Sequence, residues 1–116
     1  MIMIGGILRH ASSSFVGPQA ERMLQNLHAD HLFLAVDGLH LDLGYTTPDI
    51  LEAQLNNLMI RASNEVTVVA DASKFGRISL AVIGNLECAR RVITDNRVSK
   101  EVIEALRAKG LDPVIV

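Results

Sequence analysis

Apolar residues along the chain come in short runs separated by polar or glycine-bearing turns, and the spacing within the runs alternates between two kinds. Residues 1–4 are all apolar and stop at Gly5-Gly6, which predicts a buried strand whose end approaches another part of the fold closely. Arg9 to Ser14 is polar and passes through Phe15-Val16-Gly17-Pro18, a loop and turn by composition. Ala20, Met23, Leu24 and Leu27 then recur at i, i+3, i+4 and i+7, one face of a helix, with Glu21, Arg22, Gln25 and Asn26 directed elsewhere. His31 to Val36 reads as a strand buried on both faces that ends at the polar turn Asp37-Gly38.

The second half repeats the alternation. Gly44-Tyr45-Thr46-Thr47-Pro48-Asp49 is expected to open a second helix, with Thr47 as N-cap, Pro48 at the first helical position and Asp49 favourable against the helix dipole. Such a Thr cap is worth about 1 kcal/mol over Ala. Leu51, Leu55, Leu58, Met59 and Ala62 carry this helix to about residue 63. Val66 to Ala70 predicts a strand, Ile78 to Ile83 a strand or extended segment, and Arg91 to Asp95 another strand. Ser99 is placed to cap a last helix with Val102, Ile103 and Leu106 facing inward, Gly110 suits the left-handed position after it, and Pro113 to Val116 closes with a strand. Alternating strands and helices predict an α/β fold, a largely parallel, Rossmann-like sheet with helix crossovers. Turns after parallel strands are where such sheets place ligands, which singles out Asp37.

Composition narrows the classes. With 116 residues, 49% apolar and 21% charged, the chain predicts one globular domain. Aromatic content of 3% supplies few platforms for stacking nucleobases, and a net charge of -2 gives no footprint for binding phosphodiesters. The single cysteine, Cys88, excludes an internal disulfide and a cysteine-rich zinc site, and it points to a reducing cytoplasm. It has no base or second cysteine beside it and reads as an unreactive thiol. His10, His28, His31 and His40 lack metal-ligand spacing, so no metal and no cofactor is expected. The apolar start is too short for a signal peptide or a membrane span.

Four features stand in order: Gly5-Gly6 after an apolar run; Phe15-Val16-Gly17 before a helix; Ala35-Val36-Asp37-Gly38 followed by Gly44-Tyr45-Thr46-Thr47 and Glu52; and Val69-Ala70-Asp71-Ala72-Ser73-Lys74-Phe75. With Ile93-Thr94-Asp95 and the closing helix and strand, this set resembles the C-terminal effector domain of DeoR-family transcriptional regulators over essentially the full chain. The resemblance implies a ribose-5-phosphate isomerase-like fold, here a partial domain. It also implies a phosphorylated sugar or polyol as ligand, and DNA contact only through an N-terminal helix-turn-helix that these residues do not include. In those isomerases the motif Asp-Gly-Ala-Asp-Glu looks like Asp37-Gly38-Leu39-His40-Leu41 here, and Lys-Gly-Gly-Gly falls at Leu43-Gly44-Tyr45-Thr46. The second aspartate and the lysine are replaced. Moving a proton between sugar carbons needs a placed base and stabilisation of the enediolate, and Leu43 cannot supply a cation's charge. The expected outcome is binding without catalysis.

The ligand-binding set implied by the resemblance is Gly5, Gly6, Asp37, Gly44, Tyr45, Thr46, Thr47, Glu52 and Lys74. Each also has a plainer reading: Lys74 as a surface lysine paired with Asp71, Asp37 as a turn cap, Glu52 as a solvated helix residue, and Gly5-Gly6 as a tight turn. Two other functions stay open at this point. One is an isomerase-like enzyme using Glu52 as base; the other is an interaction module in which a sheet edge or the apolar run at 1–4 recruits a second copy into a homo-oligomer.

Overall fold

The computed structural model describes residues 1–116 as nine strands and three helices. The first half holds β1 (Ile7–Arg9), β2 (Ser14–Val16), α1 (Pro18–Leu24), β3 (Ala29–Ala35), β4 (Gly38–His40) and β5 (Gly44–Thr47). The second holds α2 (Ile50–Arg61), β6 (Ser63–Val69), β7 (Ala81–Gly84), β8 (Arg91–Thr94), α3 (Lys100–Ala108) and β9 (Asp112–Ile115), with 3-10 turns at Ala72–Lys74 and Leu86–Cys88.

Four strands form an all-parallel sheet in the order β3-β6-β8-β9. Parallel neighbours need crossover connections, and α2 and α3 provide two of them. Leu34, Val68 and Val92 project from the face that these crossovers cover and join Ala53 of α2 and Leu106 of α3 in one core. Burying an aliphatic side chain of this size contributes about 1.5–3 kcal/mol. The same core takes in Leu39, Tyr45 and Ile83 from a second, antiparallel sheet in the order β4-β5-β7. Tyr45 is fully buried and its hydroxyl donates to the Leu86 carbonyl at 2.9 Å, which satisfies its one polar atom. Burial holds its phenol neutral far beyond the ordinary titration range.

The amino-terminal hairpin of β1 and β2, with α1, packs on the outer side of α2, where Val16, Ala20 and Leu55 make a small separate core. Helix α2 is therefore buried on two sides, Ala53 toward the sheets and Leu55 toward α1. Because two sides are covered, Asn56 is buried while Leu51 remains exposed, unlike the single inward stripe expected from the leucine spacing.

Several expectations hold and several are corrected. Strands β6 and β8, the last helix, its Ser99 cap to the Val102 N–H, and the left-handed Gly110 follow the sequence reading. Residues 1–4 form no strand, and Met1, Ile2 and Met3 are exposed, because no neighbouring strand is present to pair with them. Strand β3 is not buried on both faces: Leu34 is buried, but Phe33 is 65% exposed, since one face of the sheet carries no covering layer. The second helix starts at Ile50, with Asp49 as N-cap accepting from the Glu52 N–H at 2.9 Å, so Thr47 and Pro48 lie before it. A carboxylate is at least as good a cap as a hydroxyl, and Thr47 is already committed to β5. The helix ends at Arg61 rather than 63, and the extended segment at 78–83 becomes β7 at 81–84.

Gly44 makes the tightest contact of the small sheet. Its φ is 93°, and a Cβ there would sit 2.2 Å from the Gly84 carbonyl oxygen on β7. Gly110, with φ 89°, has nothing within 4 Å of the same position. Urea unfolding should separate the two effects: Gly110→Ala should cost about 1 kcal/mol for the backbone conformation alone. Gly44→Ala should cost at least about 2 kcal/mol, because a backbone collision is added to it.

Candidate functional site

The carboxyl ends of three of the parallel strands each lead into an aspartate. Strand β3 leads into Asp37, β6 into Asp71 and β8 into Asp95. The three carboxylates are used differently. Asp37 is exposed and accepts from the Thr47 hydroxyl at 3.0 Å. Its backbone N–H donates to the Thr46 carbonyl, which ties the end of β3 to β5. Asp71 turns back on its own loop and accepts from the Ser73 N–H at 2.8 Å and from the Ser73 hydroxyl, contacts that hold its carboxyl below the usual range. Asp95 is clasped by Arg97 at 2.9 and 3.0 Å and accepts from the Ala72 N–H at 2.9 Å, which pins the turn after β6 to the end of β8. These donors, Arg97 first, hold its carboxyl well below the ordinary range.

Lys74 lies half-buried on that same turn, and no carboxylate stands within 4 Å of its ammonium. The pairing with Asp71 that a plain surface reading expects is absent because Asp71 is engaged by Ser73. The segment after Asp37 runs beside Lys74: Leu39 bridges Phe75, and the Gly76 N–H donates to the Leu39 carbonyl at 2.8 Å. Two predicted residues, Asp37 and Lys74, thus belong to adjacent segments at one end of the sheet. At that end, too, Thr94 is buried with a hydroxyl that has no hydrogen-bond partner. Such an unpaired group costs about 1–3 kcal/mol.

The other predicted residues are distributed elsewhere. Gly44, Tyr45, Thr46 and Thr47 do not form a helix-opening loop; they are β5, the middle strand of the small sheet, hydrogen-bonded on both sides and buried. Thr46 accepts from the Ser79 N–H at 3.0 Å through its hydroxyl. Of this segment, Thr47 and Thr46 reach a predicted ligand residue, Asp37: the Thr47 hydroxyl donates to its carboxylate and the Thr46 carbonyl accepts its backbone N–H. Glu52 is held by the hairpin: Arg9 pairs with it at 2.5 Å and the Ser14 hydroxyl donates at 3.0 Å. Arg9 also lies 3.7 Å from Asp49, so one guanidinium serves two carboxylates at the start of α2. Gly6 has φ 148°, and a Cβ there would lie 2.6 Å from the Val16 carbonyl oxygen, so it serves the packing of β1 against β2 and α1. Gly5 sits beside Met23, whose sulfur accepts its N–H at 3.2 Å.

Residues 1–96 match the DeoR C terminal sensor domain. The chain belongs to this DeoR family. A putative aga operon transcriptional repressor of Escherichia coli O157:H7 is 40% identical over 116 residues, which is 100% of this chain and 43% of that protein. The HTH-type transcriptional regulator GlpR of Haloferax volcanii is 35% identical over 112 residues, 97% of this chain and 44% of that protein. GolR of Listeria innocua, another HTH-type transcriptional regulator, is 31% identical over 111 residues, 96% of this chain and 44% of that protein. The chain therefore spans less than half the length of these relatives. They are regulators, consistent with a DeoR chain that is not an enzyme.

The geometry agrees with the loss of isomerase chemistry. His40, at the position of the isomerases' second aspartate, uses Nδ1 to accept N–H groups of Asp42 and Leu43 at 3.2 and 3.3 Å, so it closes a turn. Leu43 carries no charge, and Glu52 is neutralised by Arg9. Cys88 is half-buried, which pushes its thiol up to about 11 and keeps it protonated at neutral pH. No cluster of three metal-ligating side chains occurs, and no helix is long and apolar enough to cross a membrane.

Sequence reasoning gave no site role to Arg9, Ser14, Thr94, Asp95 or Arg97, although Thr94 and Asp95 stand in the motif that carries the family resemblance. Asp95 had a signal, since it follows an apolar strand just as Asp37 and Asp71 do. Arg9 had none, because its partners lie 40 and 43 positions along the chain.

Two measurements follow. The folded-state carboxyl of Asp95 is depressed, so its contribution to stability is full above the unfolded value near pH 3.9 and is lost as pH falls toward the folded value. Asp95→Asn should lower stability at pH 7 and flatten the acid side of the stability profile below about pH 4, read by thermal unfolding across pH. A double-mutant cycle with Arg9→Met and Glu52→Gln should give a coupling of about 1–2 kcal/mol, because both side chains are mostly buried and the pair is charged on both sides.

Proposed function

We propose that this DeoR chain is the effector-sensing part of a repressor of a sugar or polyol utilisation operon, working in the cytoplasm, and that its effector is a phosphorylated sugar or polyol. The observation that carries the reading is Lys74: a half-buried lysine whose ammonium has no carboxylate within 4 Å, beside the Asp37 segment at the carboxyl end of a parallel sheet. An ammonium left free of carboxylates suits a phosphoryl group, and an exposed carboxylate such as Asp37 suits sugar hydroxyls. The Thr94 hydroxyl adds an unpaired group at the same end. The names of the relatives support the regulatory half of the reading: one is an aga operon repressor and two are HTH-type regulators. In this reading, DNA contact belongs to a helix-turn-helix domain outside these residues. The effector acts by binding one of two domain arrangements more tightly than the other.

Glu52 is a positioning group in this scheme. Its pairing with Arg9 fixes the hairpin to the start of α2 and leaves no free carboxylate to abstract a proton. Gly44 to Thr47 act through Thr47, which sets the Asp37 carboxylate.

Thermal-shift titration with a panel of sugar and polyol phosphates should find at least one stabilising compound. Lys74→Ala should weaken that compound about tenfold or more, the loss expected for one charge-assisted hydrogen bond, while leaving the unliganded melting temperature nearly unchanged. Unphosphorylated counterparts should not stabilise. If no phosphorylated compound stabilises the folded wild-type chain at millimolar concentration, the ligand class is wrong.

A further inference from the structure

The turn that follows β6 carries two cations, half-buried Lys74 and exposed Arg77, and neither has a carboxylate within 4 Å. Their backbone is held against the segment after Asp37. Leu39 bridges Phe75, the Gly76 N–H donates to the Leu39 carbonyl at 2.8 Å, and a Cβ at Gly38 would lie 2.5 Å from the Arg77 carbonyl oxygen. Every amide of the turn is already used. Ala72 donates to Asp95, Ser73 and Lys74 donate to Asp71, Phe75 to Ala72, Gly76 to Leu39 and Arg77 to Lys74. An anion arriving here therefore meets side-chain cations rather than a cradle of free N–H groups.

The chain has three lysines, and the other two give a scale for generic reactivity. Lys100 opens α3 and Lys109 follows its last residue; both are exposed, and neither has a carboxylate within 4 Å. Lack of pairing is thus common to all three. Lys74 differs in being half-buried, with a second free cation three residues on and the Asp37-Gly38 turn against its own.

A phosphoryl group drawn to this turn comes beside a primary amine, which is a nucleophile. The phosphate ester of a sugar gives that amine nothing to attack. An acyl phosphate does, because the carbon joined to its phosphoryl oxygen is an activated carbonyl. We infer that Lys74 is a site of acylation by acyl phosphates, with Arg77 holding the phosphoryl group while Lys74 Nζ takes the acyl group. Nζ loses one proton to solvent and attacks the carbonyl carbon. The new carbon–nitrogen bond forms as the bond from that carbon to the phosphoryl oxygen breaks. The departing phosphate takes the second nitrogen proton and leaves as hydrogen phosphate. Holding the donor beside the amine makes the step effectively unimolecular, so even weak phosphoryl binding gives this lysine a lead over the exposed ones.

The product is a neutral amide on a side chain of nearly unchanged shape. Its regulatory consequence rests on the reading of Lys74 as the contact for a phosphorylated effector: acylation removes the charge that the effector needs, so the sensor is silenced when acyl phosphate is abundant. The site selectivity itself involves no sugar and is tested without one.

The 116-residue chain is treated with acetyl phosphate, and separately with acetylimidazole, which carries the same acetyl group on a leaving group without a phosphoryl. Initial rates at the three lysines are read by peptide mass spectrometry. Acetyl phosphate should modify Lys74 about fivefold or more faster than Lys100 or Lys109, and inorganic phosphate should suppress that excess. Acetylimidazole should favour the two exposed lysines. Arg77→Gln, at an exposed position, should slow Lys74 about threefold or more with acetyl phosphate and leave its rate with acetylimidazole unchanged. An unaffected Arg77→Gln chain overturns the inference, as does an equal lead for Lys74 with acetylimidazole, which marks a lysine reactive without phosphoryl guidance. A chain that a sugar phosphate stabilises but whose Lys74 shows no lead with acetyl phosphate overturns this inference and leaves the ligand reading intact. A lead at Lys74 without stabilisation by any sugar phosphate does the reverse.

Discussion

The parallel sheet is buried from one side because its strands are added in one direction and its crossovers share one hand. Most other features of the fold depend on that constraint. Helices α2 and α3 and the small antiparallel sheet are all brought to the same face, so a single core of fourteen buried residues draws on every strand and helix from β3 to α3. The hairpin and α1 pack on the outer side of α2. The one-sided arrangement also explains why Phe33 and Val69 on the uncovered face stay in water.

Alternation between strand and helix spacing was enough to read the parallel sheet and the last βαβ unit, where Ser99, Leu106 and Gly110 give cap, core contact and stop in the expected order. It failed where side-chain spacing is the same for two outcomes. Gly44 to Thr47 carries cap-like residues ahead of a helix, yet a tyrosine and two threonines are also good strand formers, and burial between β4 and β7 decided for the strand. The run at 1–4 is apolar enough for a strand, but a strand needs a neighbour, and nothing in local sequence says whether one is present. The doubly buried reading of β3 failed for the same reason: a covering layer is a property of topology.

The candidate site shows a similar division. Asp37 and Lys74 were legible because strand ends in open α/β sheets are recognisable from pattern, and the structure sets their segments side by side. What pattern could not supply was the state of each charge. Asp71, Asp95 and Glu52 are all engaged by partners in this structure, through Ser73, Arg97 and Arg9 respectively, and no carboxylate stands within 4 Å of the Lys74 ammonium.

Tyr45 gives the fold a built-in optical reporter. The chain has one tyrosine and no tryptophan, so its near-ultraviolet absorption and intrinsic emission come chiefly from that ring. The ring sits at the seam where the small sheet meets the large one, with its hydroxyl fixed to Leu86. A change in its signal therefore reports separation of the two sheets, while loosening of the hairpin or of the uncovered face passes unseen at those wavelengths.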